Sequence, residues 1–121
     1  TKYNKGVTFD NVVLQGMNSA MLTVQALRAA GKNLTRAGLI KAIETKGANF
    51  TSAGLVPLNY SATSRVGYNG YWFGQLNEKG ELKPFGGKLS VYTTDSSSNT
   101  APTASSYERK PVPKNGVPRN S

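Results

Sequence analysis

Residues 9–30 carry an apolar repeat that a helix places on one side of the chain. The repeat advances in steps of four and three residues, as one helical stripe does. We call this set the apolar stripe, and its members are Phe9, Val13, Met17, Ala20, Val24 and Leu27, widened by Leu14 and Met21. Thr8 is the predicted N-cap, and Gly31 is the predicted C-terminal stop. The sequence therefore predicts one long amphipathic helix.

A second face of this helix carries small and polar residues. These residues are poor helix formers that cluster away from the stripe, and they are Gly16, Asn18, Ser19 and Thr23. They could allow another element to approach closely, or they could be tolerated surface positions. The sequence leaves both readings open.

A shorter helix follows, and the two together predict a helical hairpin. Thr35 is its predicted N-cap and Gly47 its predicted stop, while Leu39, Ile40 and Ile43 form its apolar face. Residues 50–70 then turn to Gly, Ser, Thr and Asn, which is typical of a loop or a short edge strand.

The pattern next predicts a β-hairpin from "YNGYWFGQL" and "ELKPF" around the turn "NEKG". Gly80 is expected to take a positive φ there, and Pro84 should end the returning strand. "KLSVYTT" is a last candidate strand. From Asp95 onward Ser and Pro dominate, which predicts an extended or disordered tail. We therefore divide the chain into residues 1–94 and a tail of residues 95–121.

The hairpin region raises a question of its own, because residues 64–87 interleave aromatic rings with glycine and basic residues. A single-strand nucleic-acid platform needs its rings on one exposed face. In "YNGYWFGQL", Tyr68 and Trp72 alternate with Tyr71 and Phe73, so rings point to both faces. Rings on both faces favour core packing over stacking on a nucleic acid.

Composition excludes much chemistry. The chain has no Cys and no His, which removes Ser-His-Asp and Cys-His nucleophilic systems and every metal motif that contains His. The net charge of +9 is scattered along the chain, as in a solvated basic surface. Glu78 and Glu81 straddle an exposed turn, which offers no pocket for an acid–base pair. We expect no enzyme, no catalytic residue, no metal site and no cofactor.

Taken in order, these segments resemble the C-terminal end of a type I periplasmic-binding protein. The family is the branched-chain amino-acid (Leu/Ile/Val) substrate-binding family of ABC transporters. The resemblance covers residues 8–87 and rests on "LQGMNSAMLTVQALRAAG", "LTRAGLIKAIETKG", "TSAGLVPLNYSATSRVGYNG" and "YWFGQLNEKGELKPF". Two departures are Met17, where the family usually has an aromatic residue, and the Ser- and Pro-rich tail.

The resemblance implies an α/β fold of two lobes, of which this chain would supply the C-terminal helical hairpin, a hinge-crossing segment and a β-hairpin. It implies capture of an amino acid or related small molecule for an ABC permease, outside the cytoplasm, with or without a lipid anchor on a missing N-terminal part. Most ligand contacts would come from that missing part, so the ligand-binding residues are unknown. Asn11 and Gln15 could approach the cleft, although capping or solvent exposure is the simpler role.

The same reasoning predicts apolar helix and hairpin faces that only the missing lobe, a second copy or a co-purified fragment would cover. No membrane-spanning segment and no nucleic-acid partner are expected. The alternative is a small basic nucleic-acid-binding module, whose affinity for DNA would fall steeply with salt.

Overall fold

The computed structural model describes residues 5–94, 101–108 and 111 as a small mixed α/β unit. Its helical half contains α1 (Asn11–Ala30), α2 (Arg36–Lys46) and a 3-10 turn at Gly47–Asn49. Five short strands follow within the described residues: β1 Gly70–Trp72, β2 Gly74–Leu76, β3 Leu82–Pro84, β4 Val91–Thr93 and β5 Thr103–Ala104. Residues 50–69, which we call the crossing segment, connect the two halves. The predicted α/β class is confirmed, and the two-lobed fold stays a prediction.

The helix ends follow from local side-chain and backbone chemistry. Asp10 caps α1, because its Oδ1 accepts a hydrogen bond from the Val13 N–H at 2.9 Å. The prediction of Thr8 as the cap is wrong, since the carboxylate two residues later also faces the positive end of the helix dipole. Gly31 ends α1 at φ 81°, and Thr35 caps α2 by accepting from the Gly38 N–H at 3.0 Å, as predicted.

The helices enclose a small core against the start and middle of the crossing segment. Ala26, Phe50 and Leu58 are its buried members. Five partly buried side chains surround them: Leu22, Ala29, Leu39, Ile43 and Tyr60. Phe50 is the largest apolar side chain that this core removes from water.

Helix α1 turns its polar face inward. Asn18 and Gln25 are buried on the side that meets the crossing segment, seven residues apart on one helical face. Part of the apolar stripe lies on the opposite side, where Phe9 is 64% and Met17 is 54% exposed. The small-residue face therefore does receive another element, and it does so through Asn18. Ala20 and Leu27 of the stripe are exposed as well, while Val13, Leu14, Met21 and Val24 are half-buried.

The strands form two antiparallel sheets within the described residues. β1 pairs with β4, with Tyr71 opposite Tyr92, and β2 pairs with β3. The predicted hairpin is confirmed, with Gly80 at φ 75° in its turn and Pro84 at the end of β3. One feature was not predicted. The "YNGYWFGQL" strand is interrupted at Phe73, so that β1 and β2 belong to different sheets.

The sheet of β1 rests on the crossing segment at Gly70. A Cβ at that position would lie 2.9 Å from Cγ2 of Val56, which is itself buried. This close approach explains why the strand begins with glycine. β5 extends the same sheet, because Thr103 of the predicted tail pairs with Thr93 of β4. Residues 95–100, 109, 110 and 112–121 of that tail lie outside the described residues, so the predicted boundary at residue 95 stays a prediction.

Gln25 holds the crossing segment to α1. Its side chain is 1% exposed. Its Nε2 donates to the Thr51 carbonyl at 2.8 Å, and its Oε1 accepts from the Thr51 N–H at 2.8 Å. One amide thus satisfies both backbone groups of a buried residue that no helix or strand serves.

We predict that Gln25→Ala lowers the free energy of unfolding by about 2–4 kcal/mol, because it leaves both Thr51 backbone groups buried without this partner. Gln25→Glu should destabilise the chain similarly at neutral pH, although it keeps the shape, because a carboxylate cannot donate to the Thr51 carbonyl. Urea unfolding followed by helical circular dichroism measures both.

Thr45→Ala is the matched control, since Thr45 is exposed on α2 and should change stability by no more than about 0.5 kcal/mol. A Gln25→Glu variant as stable as the parent would show that shape, and not hydrogen bonding, holds the crossing segment.

Candidate functional site

A groove lies between the first half of α1 and the start of the crossing segment. We call it the amide groove. Its volume is about 350 Å³, and it is lined by Leu14, Gln15, Asn18, Ser19, Ala53, Gly54 and Tyr68. None of these side chains carries a formal charge, and three kinds of hydrogen-bonding group line it: carboxamide, aliphatic hydroxyl and phenol.

Asn18 organises the floor of the amide groove. Its Oδ1 accepts from the Ala53 N–H at 2.7 Å, and its Nδ2 donates to the Tyr68 hydroxyl at 3.0 Å. Ser52 lies within hydrogen-bond distance of the same amide at 3.3 Å, and its Oγ accepts from the Gly54 N–H at 3.0 Å. The buried amide therefore fixes both the turn at residues 52–54 and the phenol that stands over the groove.

Tyr68 is the ionisable group of the amide groove. Tyr68 is 51% exposed, and the burial of its remaining surface raises the pKa of its phenol above the usual 10.0. The hydrogen bond from Asn18 favours the phenolate and so lowers the pKa, whereas the charge interaction with the neighbouring Tyr60 raises it further. The phenol is therefore neutral at physiological pH, and its O–H can donate to a bound molecule.

Of the two candidate residues from the sequence, Asn11 and Gln15, only one lies at the amide groove. Gln15 lines the amide groove. Asn11 is the first residue of α1, exposed and outside the groove lining. Sequence reasoning missed Asn18 and Tyr68 as groove residues. The spacing of seven between Asn18 and Gln25 was the available signal, because it places two amides on one face of a helix.

A second concavity lies where the two sheets meet. We call it the aromatic notch. It measures about 410 Å³ and is lined by Phe73, Gly74, Phe85, Lys88, Ser90 and Tyr92. The expectation that the hairpin rings pack into a core is wrong for the described chain, since Tyr71, Phe73 and Phe85 are exposed. The described residues place no second layer over the hairpin, so its rings meet solvent.

Three carboxylates of the described chain serve local contacts. Asp10 caps α1, Glu44 pairs with Arg65, and Glu81 pairs with Lys83 at 3.3 Å. Within the described residues, no group of three potential metal ligands comes together, and no helix is long and apolar enough to cross a membrane. The amide groove offers uncharged hydrogen-bonding groups, and the aromatic notch offers rings and one ammonium.

No family model, no curated protein and no solved structure matches this chain.

Stability at alkaline pH should report on Tyr68. A phenol whose pKa is higher in the folded chain stabilises the fold fully below the unfolded value near 10, and that contribution is lost as the pH rises through the folded pKa. Tyrosinate absorbance should therefore contain a component from Tyr68 that titrates above the usual pKa of 10.0. Tyr68→Phe should remove that component and shrink the loss of stability above about pH 10.

Tyr71→Phe is the control, because it removes one phenol outside the amide groove and should leave the Tyr68 component in place. The assignment fails if that component disappears in the Tyr71 variant and persists in the Tyr68 variant.

Proposed function

We propose that the chain is the C-terminal part of an extracytoplasmic solute-binding protein of the type I periplasmic-binding family. In this proposal the whole protein captures an amino acid or related small molecule between two lobes and delivers it to an ABC permease. It works in the periplasm or outside the cell, either free or lipid-anchored. The resemblance over residues 8–87 motivates the proposal.

The observation that carries the proposal is that α1 has two faces suited to packing, and only one of them is packed against other described residues. The face that carries Asn18 and Gln25 is buried on the crossing segment, while Phe9, Met17 and Leu27 of the apolar stripe remain exposed. Monomeric proteins rarely expose a contiguous apolar surface of this length without a partner for it. A helix inside a layered α/β lobe has this character, because a sheet covers one side and a neighbouring segment the other.

The amide groove supports the same proposal by its chemistry. Its uncharged amide and hydroxyl lining suits the polar but neutral parts of a small molecule. It contains no group that could neutralise the ammonium or carboxylate of an amino acid. Those charges would be met by residues of the missing lobe, so this chain alone should not bind the ligand of the whole protein.

The crossing segment would act as one of the hinge connections. The start of the segment is held by hydrogen bonds between Gln25 and the Thr51 backbone. Its other end leads into Gly70, which packs closely against the Val56 side chain. The segment between these anchors carries Ser52, which contacts Asn18 in the amide groove. A hinge movement of the crossing segment during lobe closure would therefore move Ser52 and change its contact with Asn18 in the amide groove.

A substitution in the apolar stripe tests the proposal. Met17→Lys should have little effect on the free energy of unfolding of the present chain, because the Met17 side chain is already exposed. In the longer protein the same substitution should destabilise the fold by about 2–5 kcal/mol, because it would bury a charge in a lobe core. Thermal unfolding of both lengths, with Thr45→Lys as control, measures the difference.

Ligand binding tests the remainder of the proposal. Calorimetric titration with a panel of amino acids should show binding by the longer protein and none by this chain. Equal tolerance of Met17→Lys at both lengths, or DNA binding that weakens steeply with salt, would contradict the proposal and favour the nucleic-acid alternative.

A further inference from the structure

The aromatic notch is built at the point where one strand leaves its sheet. Phe73 lies between β1 and β2. The Phe85 N–H donates a hydrogen bond to the Phe73 carbonyl at 2.9 Å. The two phenylalanines therefore stand on neighbouring segments of chain. The Tyr92 ring meets the Phe73 ring edge to face, with centroids 5.3 Å apart and an angle of 67°. Three rings thus surround one concavity.

These rings are available to a ligand. Phe73 is 59% and Phe85 is 68% exposed, so their faces are not used up by packing within the described chain. The notch volume of about 410 Å³ falls within the range of small-molecule sites. An aromatic guest would gain offset-stacked or edge-to-face contacts that an aliphatic guest of the same size lacks.

A single cation stands at the notch. Lys88 lines it together with the Ser90 hydroxyl, and no carboxylate is among the lining residues. Within the described residues, the ion pairs are Arg65–Glu44 and Lys83–Glu81, so Lys88 is in neither. One ammonium beside three rings complements a ligand that carries one negative charge on an aromatic ring.

We propose that the aromatic notch is a binding site for a small aromatic carboxylate. The ring of the ligand lies between Phe73 and Phe85, and its carboxylate accepts hydrogen bonds from the Lys88 ammonium and the Ser90 hydroxyl. This site is distinct from the amide groove and does not depend on the function proposed above. A single-stranded nucleic acid fits less well, because its backbone needs a track of cations and Lys83 is already paired with Glu81.

Benzoate is the probe. Titration of the chain, followed by calorimetry and by Trp72 fluorescence, should saturate with a Kd below about 10 mM, which lies within the affinity ceiling for a ligand with so few heavy atoms. Trp72 is a suitable reporter, because a Cβ placed on the notch residue Gly74 would lie 2.8 Å from its ring. Cyclohexanecarboxylate, which keeps the charge, and benzyl alcohol, which keeps the ring, should each bind more weakly.

Variants assign the contacts. Lys88→Gln should weaken benzoate binding about three- to fivefold, as expected for one exposed ion pair, and should leave benzyl alcohol unaffected. Phe85→Leu should weaken both ring-containing probes about two- to tenfold, and the exposure of Phe85 means that the fold survives the change. Lys79→Gln, in the hairpin turn outside the notch, is the control.

Three results would overturn the proposal. The first is the absence of saturation by benzoate at about 10 mM. The second is binding that Lys88→Gln and Lys79→Gln weaken equally, which would reflect the net charge of the chain. Tighter, Lys88-dependent binding of oligothymidylate than of benzoate would also contradict it and would show a nucleic-acid surface.

Discussion

The contact between two buried amides of α1 and the backbone of residues 51–53 is the interaction on which the described structure depends. Gln25 serves both backbone groups of Thr51, and Asn18 accepts from the Ala53 N–H. The crossing segment has no regular helix or strand of its own, so these side chains take the place of a ladder partner. Because the apolar core is small, a misplaced buried amide would cost a large share of the total stability.

This contact also decides which side of α1 remains open. Once the amide face is buried, Phe9, Met17 and Leu27 of the apolar stripe point away from the crossing segment, since they lie on the other side of the helix. The Asn18 amide also positions Tyr68 over the amide groove, so a structural contact shapes the candidate site. The exposed stripe and the amide groove therefore have one cause, and the proposed role as part of a larger binding protein draws on both.

The helices, the stop of α1, the cap of α2 and the hairpin turn could be predicted from local signals. Thr35, Gly31 and Gly80 act through short-range capping and turn chemistry, which depends on a few neighbouring residues. The packing could not be predicted in the same way. Periodicity identifies an apolar stripe on α1 without naming what covers it, and the burial of Gln25 requires a backbone partner 26 residues away.

The candidate sites show the same division. Gln15 was a candidate by its position near the start of a helix, and it does line the amide groove. Tyr68 lines the amide groove and Lys88 lines the aromatic notch only because the fold brings distant segments of the chain together. The strand was expected to run unbroken through Phe73, because its residues favour β-structure throughout, and the switch between sheets that opens the aromatic notch arises from pairing with β3 and β4.

Native-state hydrogen exchange at the Thr51 and Ala53 amides tests the central claim most directly. If the buried amides of α1 hold the crossing segment, both N–H groups exchange as slowly as those in the middle of α1, through the same cooperative opening. Fast exchange at Thr51 and Ala53 beside a protected α1 would contradict this account, because it would show that the crossing segment detaches while the helix remains intact.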